Sequence, residues 1–185
     1  MLRRASHIGQ RLPSDYMNKI TIFLKDIIDK RKILKIDNNN LQLIINVDET
    51  PIFFDAPFES TIDQKGVKQV NTKTSGYEKE TISVILACAA NGIKLAPLII
   101  FKGQEGKRIE KELSAHKLVK NKRIYVKCQP NSWCTTDIFK YWIKEIFLKY
   151  ECYINSKCIL VLDKAPSHFN DTIEEYMNNN AINYI

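Results

Sequence analysis

The chain has 185 residues and a net charge of +7, with 44% apolar and 26% charged residues. That is the balance of a globular domain with enough chain for one real core. No apolar run approaches the ~18 residues of a membrane-spanning helix, and the opening MLRRASHIGQRLP lacks the apolar stretch of a secretory signal. The five cysteines, at 88, 128, 134, 152 and 158, are odd in number and form no C-x-x-C. This argues against a disulfide framework or a zinc knuckle and places the chain in a reducing compartment, cytosol or nucleus.

In chain order, residues 1–12 read as irregular. Pro13-Ser14 opens a helix that Ser14 can cap, with Ile20, Phe23, Leu24, Ile27 and Ile28 on one face and Lys30-Arg31-Lys32 near its end. Leu41 to Val47 is too short for a helix and reads as a buried strand, stopped by Pro51. Residues 51–80 are polar and turn-rich. Ile82–Ala89 and Ile93–Phe101 form a hairpin around Asn91-Gly92, with Pro97 suited to an edge or a bulge.

A basic segment follows. Between Lys102 and Lys127 lie nine Lys/Arg against three Glu, a net of +6 that is nearly the whole excess. Such a block suits a polyanion, and equally a solvated lysine-rich face. Arg123–Cys128 reads as a strand. Thr135–Tyr150 is the clearest helix, with Ile138, Trp142 and Ile146 in one row and Phe139, Ile143, Phe147 and Tyr150 in the next. Lys157–Leu162 is a strand, Asn170–Asn180 a helix with Ile173, Tyr176 and Met177 inward, and Ala181 begins another strand. Strands alternating with helices after a meander indicate an α/β sheet, in which Lys157–Leu162 can run parallel to an earlier strand through a crossover.

Asp48 and Asp163 each stand one residue beyond an apolar run. If the two strands are parallel neighbours, both carboxylates meet at the carboxyl edge, where α/β sheets place their ligands. Paired carboxylates repel unless a cation lies between them. Magnesium or manganese suits that place and serves phosphodiester displacement. Either aspartate alone reads as a strand-end residue bonding its own turn. Glu49 points to the opposite face of the strand and reads as structural or supporting. Cys128 and Cys134 with His116 are a weaker metal-ligating set, and buried thiols are the simpler reading. The run LIINVDE resembles the acidic strand of ATPases, but GQEGKR (103–108) has the wrong spacing for a phosphate loop, lacks the hydroxyl and follows the strand. No G-x-S-x-G occurs to support a serine hydrolase.

Together NVDETPIFF, STIDQKGVKQVNTKTSGYEKETISVILACAANGIKLAPLIIFKG, WCTTDIFKYWI and LVLDKAPSH resemble, in this order, the DDE-superfamily transposases of the pogo, tigger and jerky (mariner-like) branch. The resemblance covers residues 41–185, with residues 1–40 as the linker and helix before that domain. It implies a ribonuclease H-like fold, a mixed five-stranded sheet with flanking helices, truncated here at its C-terminal end. It implies metal-dependent cleavage and transfer of DNA strands in the nucleus, with Asp48 and Asp163 as catalytic and metal-binding acids and Mg2+ or Mn2+ as cofactor. DNA is the implied partner; a homodimer is left open and no membrane is implied. Lys102, Lys107, Arg108, Lys120, Lys122, Arg123, Lys164 and His168 are the candidate nucleic-acid contacts. Lys164 replaces the commoner asparagine of the motif, and His168 is expected to pack at a helix entry or meet phosphate. The family's third acid is expected after the strand that begins at Ala181, and Asp171, Glu174 and Glu175 are not promoted to that role. A non-catalytic, transposase-derived DNA-binding protein is the alternative.

Overall fold

A computed structural model describes residues 13–55 and 80–185; the irregular opening and most of the turn-rich stretch lie outside them. Helix α1 (Tyr16–Leu34) is followed by a 3-10 turn (Leu41–Leu43) and strand β1 (Ile44–Phe53). Strands β2 (Thr81–Ala89) and β3 (Leu98–Lys102), helices α2 (Arg108–Ser114) and α3 (Lys117–Lys120), and β4 (Tyr125–Gln129) come next. Helix α4 (Thr136–Trp142) continues through a π-helical turn (Ile143–Phe147) into α5 (Leu148–Ile154), and β5 (Ile159–Val161), α6 (Asp171–Asn179) and β6 (Asn183–Tyr184) complete the chain.

The six described strands form one sheet in the order β4-β3-β2-β1-β5-β6, one more strand than the resemblance implied. β2 runs antiparallel to both β1 and β3, while β3–β4, β1–β5 and β5–β6 are parallel. Every strand except β2 therefore points its carboxyl end to the same edge. The hairpin expected at Asn91-Gly92 is present: Gly92 takes φ +90° and its N–H donates to Ala89 O at 2.8 Å. The return strand starts later than expected, at Leu98, just beyond Pro97.

The first strand differs from its expectation in a way that matters for the site. Leu41–Leu43 is a 3-10 turn, and β1 runs straight through Pro51 to Phe53. β2 pairs with β1 along Ile45–Phe53, whereas β5 pairs only with Ile44–Asn46. Beyond Asn46 the β5 side of β1 is an open edge among the described strands, and a proline, lacking N–H, is tolerated there.

The core lies between one face of the sheet and the α4–α5 and α6 helices. Ile45, Val47, Ile85, Ala87, Leu98 and Ile100 meet Ile138, Phe139, Trp142, Ile143, Ile146 and Phe147, joined by Ile159, Leu160, Ile173 and Met177. Both predicted rows of the long helix are buried, and Tyr150, at the end of its row, donates its hydroxyl hydrogen to Gln42 O at 3.0 Å. Thr135 and Asn170 cap α4 and α6 by accepting from Ile138 N and Ile173 N. On β4, Tyr125 and Lys127 reach Tyr141 of α4, whereas Cys128 turns toward Gly103 and Ile109 of α2, so helices lie on both faces.

α1 is different. Its N-cap residue is Asp15 rather than Ser14, no side-chain cap forms, and none of its residues is buried. Lys30 Nζ donates to Tyr184 O, and Ile36 beyond the helix joins the core.

Two predictions follow from this packing. Phe147 is 0% exposed and Tyr153 is 87% exposed. Phe147→Ala is expected to lose about 3–5 kcal/mol in urea unfolding, and Tyr153→Ala less than about 0.5 kcal/mol. Burial raises the thiol pKa of Cys128 and Cys134 and pushes Cys158 up to about 12, while Cys88 and Cys152 are exposed. Ellman's reagent at mildly alkaline pH should therefore titrate Cys88 and Cys152 fast and the other three only on unfolding.

Candidate active site

The β1–β5 register sets the geometry. Ile44, Ile45 and Asn46 pair with Ile159, Leu160 and Val161. Carried two residues beyond the end of β5, the same register would set Asp48 level with Asp163. Asp48 sits inside β1, where alternation buries Ile45 and Val47 and exposes Asn46 and Asp48. Asp163 sits in the loop two residues beyond β5. Both aspartates are exposed. They keep the local bonds of strand-end residues: Asp48 Oδ1 accepts from Glu49 N at 2.8 Å and Asp163 Oδ1 from Ala165 N at 3.2 Å. The second oxygen of each carries no hydrogen bond among the described residues.

Glu49 points away from Asp48, onto the core face, as the alternation of a strand requires. There it meets His168, which is 1% exposed and spans two carboxylates. Nδ1 lies 2.6 Å from Asp163 Oδ1, and Nε2 lies 2.6 Å from Glu49 Oε1. The ring rests on Phe139, with centroids 4.5 Å apart. Burial alone would lower the imidazole pKa; the hydrogen bonds and negative charge of Glu49 and Asp163 outweigh it and hold it above the ordinary histidine value. An imidazolium ring donates at both nitrogens, which is what two carboxylate acceptors need. The loop that delivers the ring is itself tied down. His168 N donates to Ala165 O at 2.9 Å, and Asn170 Nδ2 donates to Pro166 O at 2.6 Å and to Thr136 Oγ1 at 3.1 Å.

His168 therefore packs at the helix entry, with neither ring nitrogen left for a phosphate. Its link to Glu49 was not legible in the sequence, because 119 residues separate the two. Cys134 stands beside them: its sulfur, a His168 nitrogen and a Glu49 oxygen lie within 4.8 Å of one another. Burial first, and then Glu49, hold its thiol far above the usual range. Cys134 thus falls in with Glu49 and His168, not with Cys128 and His116. His116 is exposed and caps α3 by accepting from Leu118 N.

The basic candidates do not form one patch. Lys102, at the carboxyl end of β3, stands level with Phe53 at the far end of β1, five residues along that strand from Asp48; it pairs with Glu80 at 3.2 Å. Lys107 and Arg108 follow β3, and Arg108 pairs with Glu112 at 2.9 Å. Lys120, Lys122 and Arg123 precede β4, three strands across the sheet from β1; they are exposed, with no ion pair among the described residues. Lys127 is drawn inward by Glu105 at 2.6 Å and by the Tyr141 ring. Lys164 is exposed beside Asp163, with Nζ 5.7 Å from the Phe169 ring. No helix among the described residues is long and apolar enough to cross a membrane.

Comparison with known proteins agrees with this architecture. The family profile described as "DDE superfamily endonuclease" matches residues 79–185, a span that holds Asp163 but not Asp48. The human protein "Pogo transposable element with KRAB domain" is 27% identical over 95% of this chain, and the human "Pogo transposable element with ZNF domain" is 24% identical over 92%. This chain spans 27% and 11% of the lengths of those two relatives. Among solved structures, the Mos1 mariner paired-end complex with Mn aligns over 100% of this chain and 46% of its own, at TM-score 0.59 and 11% identity. The catalytic domain of Mos1 mariner transposase aligns over 96% and 63%, at TM-score 0.54 and 11% identity. With the family profile matching more than half of the chain and the ribonuclease H-like sheet of the solved structures present, this chain belongs to the DDE superfamily endonucleases.

Proposed function

We propose that Asp48 and Asp163 are two acidic ligands of a divalent cation, Mg2+ or Mn2+, in a site that cuts and rejoins DNA strands in the nucleus. The observation that carries this reading is the β1–β5 register, which, carried two residues beyond β5, sets two exposed carboxylates level, each with one oxygen unbonded among the described residues. The donor set fits such an ion: hard carboxylate oxygens, few in number, with room for water and phosphate oxygens. The ion would supply charge neutralisation for the attacking and leaving oxygens of a phosphodiester displacement. The chain's own part is to hold its two carboxylates in register and to keep Asp163 oriented. Lys164, exposed beside Asp163, is placed to meet the DNA backbone.

The exposed Lys120, Lys122 and Arg123 favour a second reading, a transposase-derived DNA-binding protein that does not cut. They lie three strands across the sheet from Asp48, and such a cluster binds phosphate without the aspartates.

Water-proton relaxation with Mn2+ tests the first reading. Residues 1–185 should bind the ion weakly, and Asp48→Asn and Asp163→Asn should each weaken binding by about tenfold or more. Binding that neither substitution alters would overturn it. Any Mg2+-dependent nicking of supercoiled DNA should be abolished by Asp163→Asn. For the second reading, DNA affinity should fall steeply with salt and persist in Asp48→Ala. Each of Lys120→Ala, Lys122→Ala and Arg123→Ala should reduce the salt slope by about one. Salt-independent binding, or none, would count against it.

A further inference from the structure

We infer that Glu49 and His168 are positioning residues for the cation site: His168, held by Glu49, occupies one oxygen of Asp163 and so presents the other alone to the metal. This rests on the reading of Asp163 as a ligand. Asp163 is half exposed and leaves the strand before its side chain, so nothing in the sheet fixes its carboxylate plane. Oδ1 is instead taken twice, by His168 Nδ1–H at 2.6 Å and by Ala165 N–H at 3.2 Å. A carboxylate held in this way binds an ion through Oδ2 only, which suits the near-octahedral geometry of a small divalent cation better than a two-oxygen grip.

The ring is fixed in turn. It is buried, rests on Phe139, and is held at its far nitrogen by Glu49 Oε1 at 2.6 Å. Glu49 is a residue of β1, so the strand that carries Asp48 also sets the ring that orients Asp163. The two acids are thereby tied through side chains as well as backbone. Such outer partners set the orientation of a ligand and typically change metal affinity by about 10–100-fold when removed.

The same atoms do not form a separate metal site of Glu49, Cys134 and His168. Two ligands of a tetrahedral zinc at ~2.0–2.1 Å stand roughly 3.3 Å apart. The Nε2 and Oε1 atoms lie 2.6 Å apart, a hydrogen-bond distance.

Two substitutions of His168 separate its ends. Asn keeps a donor near the Nδ1 position and loses the link to Glu49. Gln keeps a donor near Nε2 and loses Asp163. Mn2+ affinity and urea stability are measured for both, alongside Glu49→Gln, Asp163→Asn and the native chain. His168→Gln is expected to lose about 10–100-fold in affinity and His168→Asn only a few-fold, with Glu49→Gln between them. That order should hold even though both histidine variants lose similar stability. Affinity that stays native in His168→Gln and Glu49→Gln, or that follows stability alone, overturns the inference while leaving the acid pair intact. A native chain whose Mn2+ binding Asp163→Asn does not weaken overturns the acid pair and this inference with it.

Discussion

The parallel pairing of β1 with β5 is the constraint on which the rest of this molecule depends. It is short: three residue pairs, Ile44–Asn46 against Ile159–Val161. It is held less by its hydrogen bonds than by burial, since Ile45, Ile159 and Leu160 are fully enclosed. A slip of one residue would turn Ile45 and Val47 out of the core, so the apolar pattern of β1 locks the register. Because β5 ends early while β1 continues, the pairing also opens an edge where Asp48 stands. The strand's termination, not only its presence, makes the site.

The same core reaches the site through one aromatic contact. Phe139, at 0% exposure, stacks on Trp142 on one side and meets the His168 ring on the other. Trp142 stacks in turn with Phe147 in the π-helical turn, and its Nε1–H has no partner among the described residues. An unpaired buried N–H is tolerated at a cost of about 1–3 kcal/mol; here the indole supplies apolar area at the centre of the core. Packing and polar positioning are thus continuous, from the long helix through Phe139 to the imidazole and its two carboxylates. A loosened core in this region would reach Asp163 without any change at the acid itself.

The basic surface is divided by the topology of the sheet. Lys164 stands beside Asp163, Lys102 lies level with the far end of β1, and Lys120, Lys122 and Arg123 precede β4, three strands across the sheet from β1. Lys127 is consumed by Glu105, Glu110 and the Tyr141 ring. Net charge in the sequence therefore overstates how much of the segment faces one phosphate backbone. Local pairing decides which cations are left for a partner.

Much of the fold was legible from residue pattern. The long helix, the Asn91-Gly92 hairpin and the α6 helix come from helical periodicity, turn chemistry and capping, all of which act within a few residues. The ends of two apolar runs singled out Asp48 and Asp163, and the motifs of the resemblance supplied the family. Pro51 misled, since a proline ends a strand only where its missing N–H would have had a partner. Leu41–Leu43 misled because a short apolar run does not distinguish a strand from a tight turn. α1 shows the apolar spacing of a packed helix yet buries no residue. By itself the sequence determined which side chains are apolar, at what period, and where the chain turns. Only the tertiary structure decided that β5 stops two residues short of Asp163 and that His168 joins Glu49 to Asp163, because these depend on pairings across more than a hundred residues, which no local preference encodes.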